Sequence, residues 1–193
     1  MFDSELSIRA RTATTWELTL PLIWNGTKGD TFVVPTGFVT DFATVPRFLH
    51  WLVSPYGAYT RAAVLHDFLL VSLAEWSTGA DTPAGRGARP LAISQDCDGI
   101  FRRVMQDLGV AWSTRWLMWA AVRAASLGNP RRAYGRQFGK DAPKVIAIGL
   151  VAIPAALPGV IGVVISLGLT RVLAPFGAKP VPPRPAGTSR REP

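Results

Sequence analysis

The stretch VIAIGLVAIPAALPGVIGVVISLGLT, Val145 to Thr170, runs for 26 residues without a charged side chain. At about 1.5 Å of rise per residue, a helix of that length exceeds the roughly 30 Å hydrocarbon thickness of a bilayer. Arg131, Arg132, Arg136, Lys140 and Lys144 precede it, and Arg171, Lys179, Arg184, Arg190 and Arg191 follow it. This pattern predicts a transmembrane segment over residues 145–175. A head domain over 1–128 and a basic juxtamembrane linker over 129–144 come before it. A disordered, basic, Pro-rich tail over 176–193 comes after. Pro154 and Pro158 interrupt the run. A single kinked span is expected, since proline is tolerated in membrane helices; a re-entrant hairpin and a buried core helix are the alternatives.

Charge supports this division. Residues 1–100 carry seven Lys/Arg against ten Asp/Glu, and residues 101–193 carry fourteen against three. The basic excess therefore gathers beside the apolar run, where cations are attracted to anionic lipid. Nucleic acid is not an expected partner, because a nucleic-acid binder shows its basic patch on the folded domain with aromatic recognition residues interleaved. The N-terminus, MFDSELSIRA, lacks a basic segment followed by an apolar one, so no secretory signal is expected and the head is expected to be cytoplasmic. One cysteine, Cys97, allows no internal disulfide and fits a reducing compartment.

The head reads as α+β: a small N-terminal antiparallel sheet, then a helical bundle. Leu6, Ile8 and Ala10 alternate with polar residues, as do Trp16, Leu18 and Leu20. Asn25-Gly26 marks a hairpin turn, Thr31–Val34 the returning strand, and Pro35-Thr36-Gly37 the end of the sheet. A short helix is expected over Pro46–Val53. A longer one, capped by Thr60, is expected from Arg61 to about Trp76, with Leu65, Phe68, Leu69 and Ser72 on one face and Ala62 and His66 on a flank. Residues 77–93 read as an exposed flexible loop. Ser94 is expected to cap a helix with the stripe Ile100, Phe101, Val104, Met105 and Leu108, ending at Gly109. Ser113 is expected to cap another that ends near Gly128. Its Trp112, Trp116 and Trp119 serve either as core or as an interfacial belt.

Chemistry concentrates around His66-Asp67. Adjacent helix residues point about 100° apart, so the two cannot share one small target, but they can border one cleft. If the next helix packs alongside, Asp98 can fix the His66 tautomer and leave the other ring nitrogen to take a proton from water. Asp67 could then hold a cation. Asp41 caps the following helix or projects as an oxygen ligand. Each also has a plain structural reading: His-Asp as a helix-surface pair, and Asp98 as an acid favouring its helix dipole. Cys97 is expected to be a small buried thiol and not a nucleophile.

The blocks Val34–Arg47 (VPTGFVTDFATVPR), Tyr59–Leu69 (YTRAAVLHDFL) and Asp98–Phe101, with the helix near Arg115–Arg123, resemble a family carried mainly by bacteriophages and prophages, domain of unknown function 1353. The resemblance covers about residues 5–127. It implies a phage origin and does not cover the apolar segment, which is what is expected to hold the protein at the host cell membrane. The Ala-Ala-x-x-His-Asp pattern with a downstream Asp-x-x-Phe is also similar to the core of phospholipases A2. That likeness implies His66 as general base, Asp98 as its partner and Asp67 as a calcium ligand. Leu70 stands where those enzymes carry a tyrosine, and their calcium-loop motif and disulfides are absent.

Three functions follow as expectations. The first is a membrane-anchored phage accessory protein that docks, without catalysis, on membrane lipid or on a host or phage membrane protein. The second is a metal-assisted hydrolase, acting on lipid esters through His66 and Asp98 with a divalent cation, calcium, on Asp67 and Asp41. The third is a metal phosphohydrolase built on His50, His66, Asp67 and Asp98.

Overall fold

The computed structural model describes residues 1–26, 29–42, 57–128 and 138–173. The expected helix over 46–53, His50 and the tail over 176–193 lie outside the described residues, as does most of the expected linker. The fold is α+β, with short antiparallel strands first and helices after. The strands form two sheets where one was expected. β1 (Ile8–Ala10), β2 (Trp16–Leu18) and β5 (Val39–Thr40) make one, in the order β1-β2-β5. β3 (Leu22–Asn25) and β4 (Thr31–Val34) make the other, a hairpin in register Leu22↔Val34 to Asn25↔Thr31.

Local chemistry explains where these strands depart from expectation. Asn25 is the last rung of the ladder and not the tip of the turn. Its side chain accepts from the Thr31 hydroxyl at 2.8 Å, and the loop beyond is closed by Gly26 N–H on the Asp30 carbonyl at 2.7 Å. Pro35-Thr36-Gly37 does not end the sheet. Gly37 takes φ +84°, a left-handed conformation that glycine adopts without a Cβ clash, and turns the chain back to form β5. Its N–H donates to the Leu18 carbonyl at 2.8 Å. β1 is an edge strand exposed along its length, so the Leu6–Ala10 alternation does not point a row of side chains inward. Leu18 is buried, whereas Leu20 is exposed beyond the end of β2.

α1 (Thr60–Thr78) is the central helix and packs on β4, β5 and α2 (Ser94–Asp107). An uninterrupted run free of Gly and Pro forms it, and Gly79 ends it in the left-handed region, its N–H on the Trp76 carbonyl at 3.2 Å. Thr60 is the first helical residue and not the cap; its hydroxyl donates to the Gly57 carbonyl at 2.8 Å. Burial around α1 is broad: Ala62, Val64, Leu65 and Leu69 are all enclosed, each large aliphatic contributing roughly 1.5–3 kcal/mol. The loop before α2 is largely exposed but tied down, with Trp76 Nε1–H on the Gly87 carbonyl at 3.1 Å and Thr82 on Glu75 at 2.9 Å.

α2 buries Phe101, Val104 and Met105 of the expected stripe, while Ile100 and Leu108 at its edges are partly buried. Ser94 opens this helix and does not cap it, because Ile93 holds the cap position. α3 (Trp112–Gly128) starts one residue before Ser113, which removes Ser113 from the cap as well. Trp119 is core, while Trp112 is 69% exposed. After a 3-10 turn at Phe138–Lys140, α4 (Ala142–Leu173) begins inside the expected linker. No single helix among the described residues is long and apolar enough to cross a membrane. Ala142–Ala152 and Leu157–Leu169 meet that criterion only together, across a bend of 56°. Pro154 and Pro158 lie at the bend, where missing N–H donors and ring clashes disrupt the helical ladder.

Candidate functional site

The packing of α1 on α2 brings His66 to Asp98. His66 Nε2 lies 2.8 Å from Asp98 Oδ1. The ring also leans on Phe101, with centroids 4.8 Å apart, so an apolar wall and a hydrogen bond together fix the imidazole. His66 is 6% exposed and Asp98 is fully enclosed.

A buried carboxylate needs compensation, and α3 supplies it. Arg123 Nη1 donates to Asp98 Oδ2 at 3.0 Å, and Arg123 Nη2 reaches Asp141 Oδ2 at 3.1 Å. Gln95 donates to the same Asp141 oxygen at 3.4 Å. Each Asp98 oxygen thus accepts from a different donor. A carboxylate paired with a guanidinium has no proton to offer, so the network assigns the His66 Nε2 hydrogen as the donor. In the neutral ring the lone pair then resides on Nδ1.

Sequence reasoning did not single out Arg123. An arginine amid Leu117–Leu127 looks like a solvated face, yet Arg123 is fully enclosed. The available signal was its isolation: it is the sole charged residue between Arg115 and Arg131. Charge in an otherwise apolar helix points inward only when a partner waits there.

Asp67 occupies a different environment on the neighbouring face of α1. Thr40 Oγ1 donates to Asp67 Oδ2 at 2.7 Å and accepts from the Phe42 N–H at 2.9 Å. Phe42 sits at φ +62°, a left-handed conformation costly for a non-glycine residue, and is held there by its ring against Trp16 at 4.7 Å. The loop carrying Asp41 is therefore clamped onto α1 beside Asp67. Asp41 itself is exposed. Among the described residues, no three His, Cys, Asp or Glu side chains converge as a metal site. Calcium takes six to eight oxygens, and Asp67 with Asp41 falls well short of that set. The described donors thus do not fit the cation that the resemblance implies. Cys97 is buried, as expected.

A family model described as "Protein of unknown function (DUF1353)" matches residues 16–122. It includes His66, Asp67, Asp98 and Asp41, ends one residue before Arg123 and leaves out α4. No curated protein and no solved structure matches the chain.

Proposed function

The chain belongs to the DUF1353 family, and we propose that its head is a water-activating hydrolase working at a lipid surface, with His66 as general base. The observation that carries this reading is the 2.8 Å contact between His66 Nε2 and Asp98 Oδ1, with Arg123 holding the far oxygen. His66 Nδ1 takes a proton from water as the water oxygen bonds to an ester carbonyl carbon. When the ester C–O bond breaks, the imidazolium returns that proton to the leaving alkoxide. Asp98 is a positioning residue that keeps the ring in one tautomer throughout.

The lipid surface enters through α4. Its first arm of 11 residues spans about 16 Å and its second of 13 about 20 Å, each short of the roughly 30 Å core. Ile146, Leu150, Val151, Val164 and Ile165 are exposed along both arms, a surface that water does not favour and lipid does. On this reading the product is phage-encoded and held at the host membrane by α4.

The test is fatty-acid release from phosphatidylglycerol vesicles by the full chain. His66→Ala should cut turnover about 10²–10⁴-fold, the usual contribution of a general base, while the fold is kept. Equal rates for wild type and H66A would overturn the reading. A second reading, a non-catalytic docking protein, draws on the enclosure of Asp98 and Arg123. It is favoured if wild type binds vesicles and releases no fatty acid.

A further inference from the structure

The first arm of α4 does not seal against α3. Trp112, Ser113, Trp116 and Leu117 on one side and Ala147, Ile148, Val151 and Ala152 on the other line a half-open groove of about 400 Å³. Ser113 is the one polar residue in that wall. Pockets for small ligands span about 300–1,000 Å³, so the space is large enough for a flexible apolar chain. Its mouth adjoins the exposed apolar surface of α4, where Val151 is 75% exposed.

Positive charge gathers one indole ring away. The Arg102 guanidinium lies 4.6 Å over the ring of Trp116, itself a groove wall. Burial first, then the charges of Arg115 and Arg103, hold the Arg102 pKa below its ordinary value, while Asp141 acts in the opposite sense. Asp141 is committed to Arg123 at 3.1 Å. Arg115 Nε is buried without a hydrogen-bond partner among the described residues. Crowded, incompletely paired guanidinium groups beside an apolar groove describe a receptor for an anion that carries a hydrocarbon tail.

We propose that this groove takes an acyl chain of an anionic phospholipid, with Arg102 and Arg115 receiving its phosphate. The site is separate from His66, so lipid capture and ester turnover stand or fall independently. The full chain, purified in detergent, is exposed to photoactivatable phosphatidylglycerol or phosphatidylcholine carrying the label on the acyl chain. Crosslinks should map to residues 112–117 and 147–152, with phosphatidylglycerol preferred by about tenfold or more, the scale that two cations contribute against anionic lipid. Arg102→Gln with Arg115→Gln should remove the headgroup preference and leave crosslinking in place. Ala147→Phe should fill the groove and suppress crosslinking of both lipids. His66→Ala should leave all of this unchanged. Equal labelling by the two lipids in wild type would overturn the proposal, as would crosslinks spread evenly along α4. If Ala147→Phe fails to fold, the arginine pair alone decides the outcome.

Discussion

Arg123 and Asp141 meet at 3.1 Å across the junction between the head and the apolar helix. Asp141 also caps that helix through its backbone, its carbonyl accepting the Val145 N–H at 3.0 Å. Its negative charge therefore sits at the positive end of the α4 dipole while pairing with Arg123. Because Arg123 simultaneously grips Asp98, one line of alternating polar groups runs from α1 through α2 and α3 to the start of α4. The orientation of His66 and the seating of α4 share a residue.

Removing Arg123 should be the most damaging single change in the head. Arg123→Ala leaves Asp98 buried without its cation, and breaking a buried pair in this way costs about 3–5 kcal/mol. Asp141→Asn should cost less, because the Asp141 side chain is 13% exposed and Arg123 keeps Asp98. Thermal unfolding of the two variants checks the order, R123A well below D141N.

Asp98→Asn should separate positioning from folding. The amide keeps the shape and an oxygen for Arg123, but it can present an NH2 group to His66 Nε2 and favour the other tautomer. If the proposed hydrolase reading holds, ester turnover should fall by about two orders of magnitude or more, whereas Tm should move by only a few degrees. Imidazole 15N shifts of wild type and D98N would show the tautomer directly.

Thr40 should behave as a clamp. Thr40→Val is nearly isosteric but strips Asp67 of a donor and the Phe42 N–H of its acceptor. Taking the acceptor from the buried Phe42 N–H and one donor from the half-buried Asp67 costs about 1–3 kcal/mol. Thr40→Ser retains the hydroxyl and should recover most of that loss, as urea unfolding midpoints will report.

The bend in α4 should depend on its prolines. Pro154→Ala with Pro158→Ala restores two N–H donors and removes two ring clashes. Spin labels at positions 146 and 165 should then move apart by about 3 Å as the 56° bend straightens.

The helices were legible because their apolar residues recur at helical spacing over three or more turns, as in Phe101, Val104 and Met105 of α2. Their starts were not. Ser94, Ser113 and Thr60 are good capping residues by type, yet each lies inside its helix, because packing fixes the boundary by a residue or so beyond what capping preference can resolve. β5 is two residues long, and its pairing with β2 joins positions 24 apart, Trp16 with Thr40. No local pattern encodes that. His66 and Asp98 stood out in the sequence as chemistry-bearing types, and their meeting depended on α1 packing against α2. Arg123 needed the tertiary structure, since its burial is decided by carboxylates contributed from α2 and from the residue before α4.

The chain's one cysteine, Cys97, immediately precedes Asp98 and is sealed within the core. It can serve as an internal stopwatch. A thiol reagent gains access only when α2 lifts away, so the labelling rate at rising denaturant distinguishes a brief parting of two helices from collapse of the whole head. The molecule therefore carries its own reporter beside the carboxylate that steadies His66, with no foreign probe to perturb the pair.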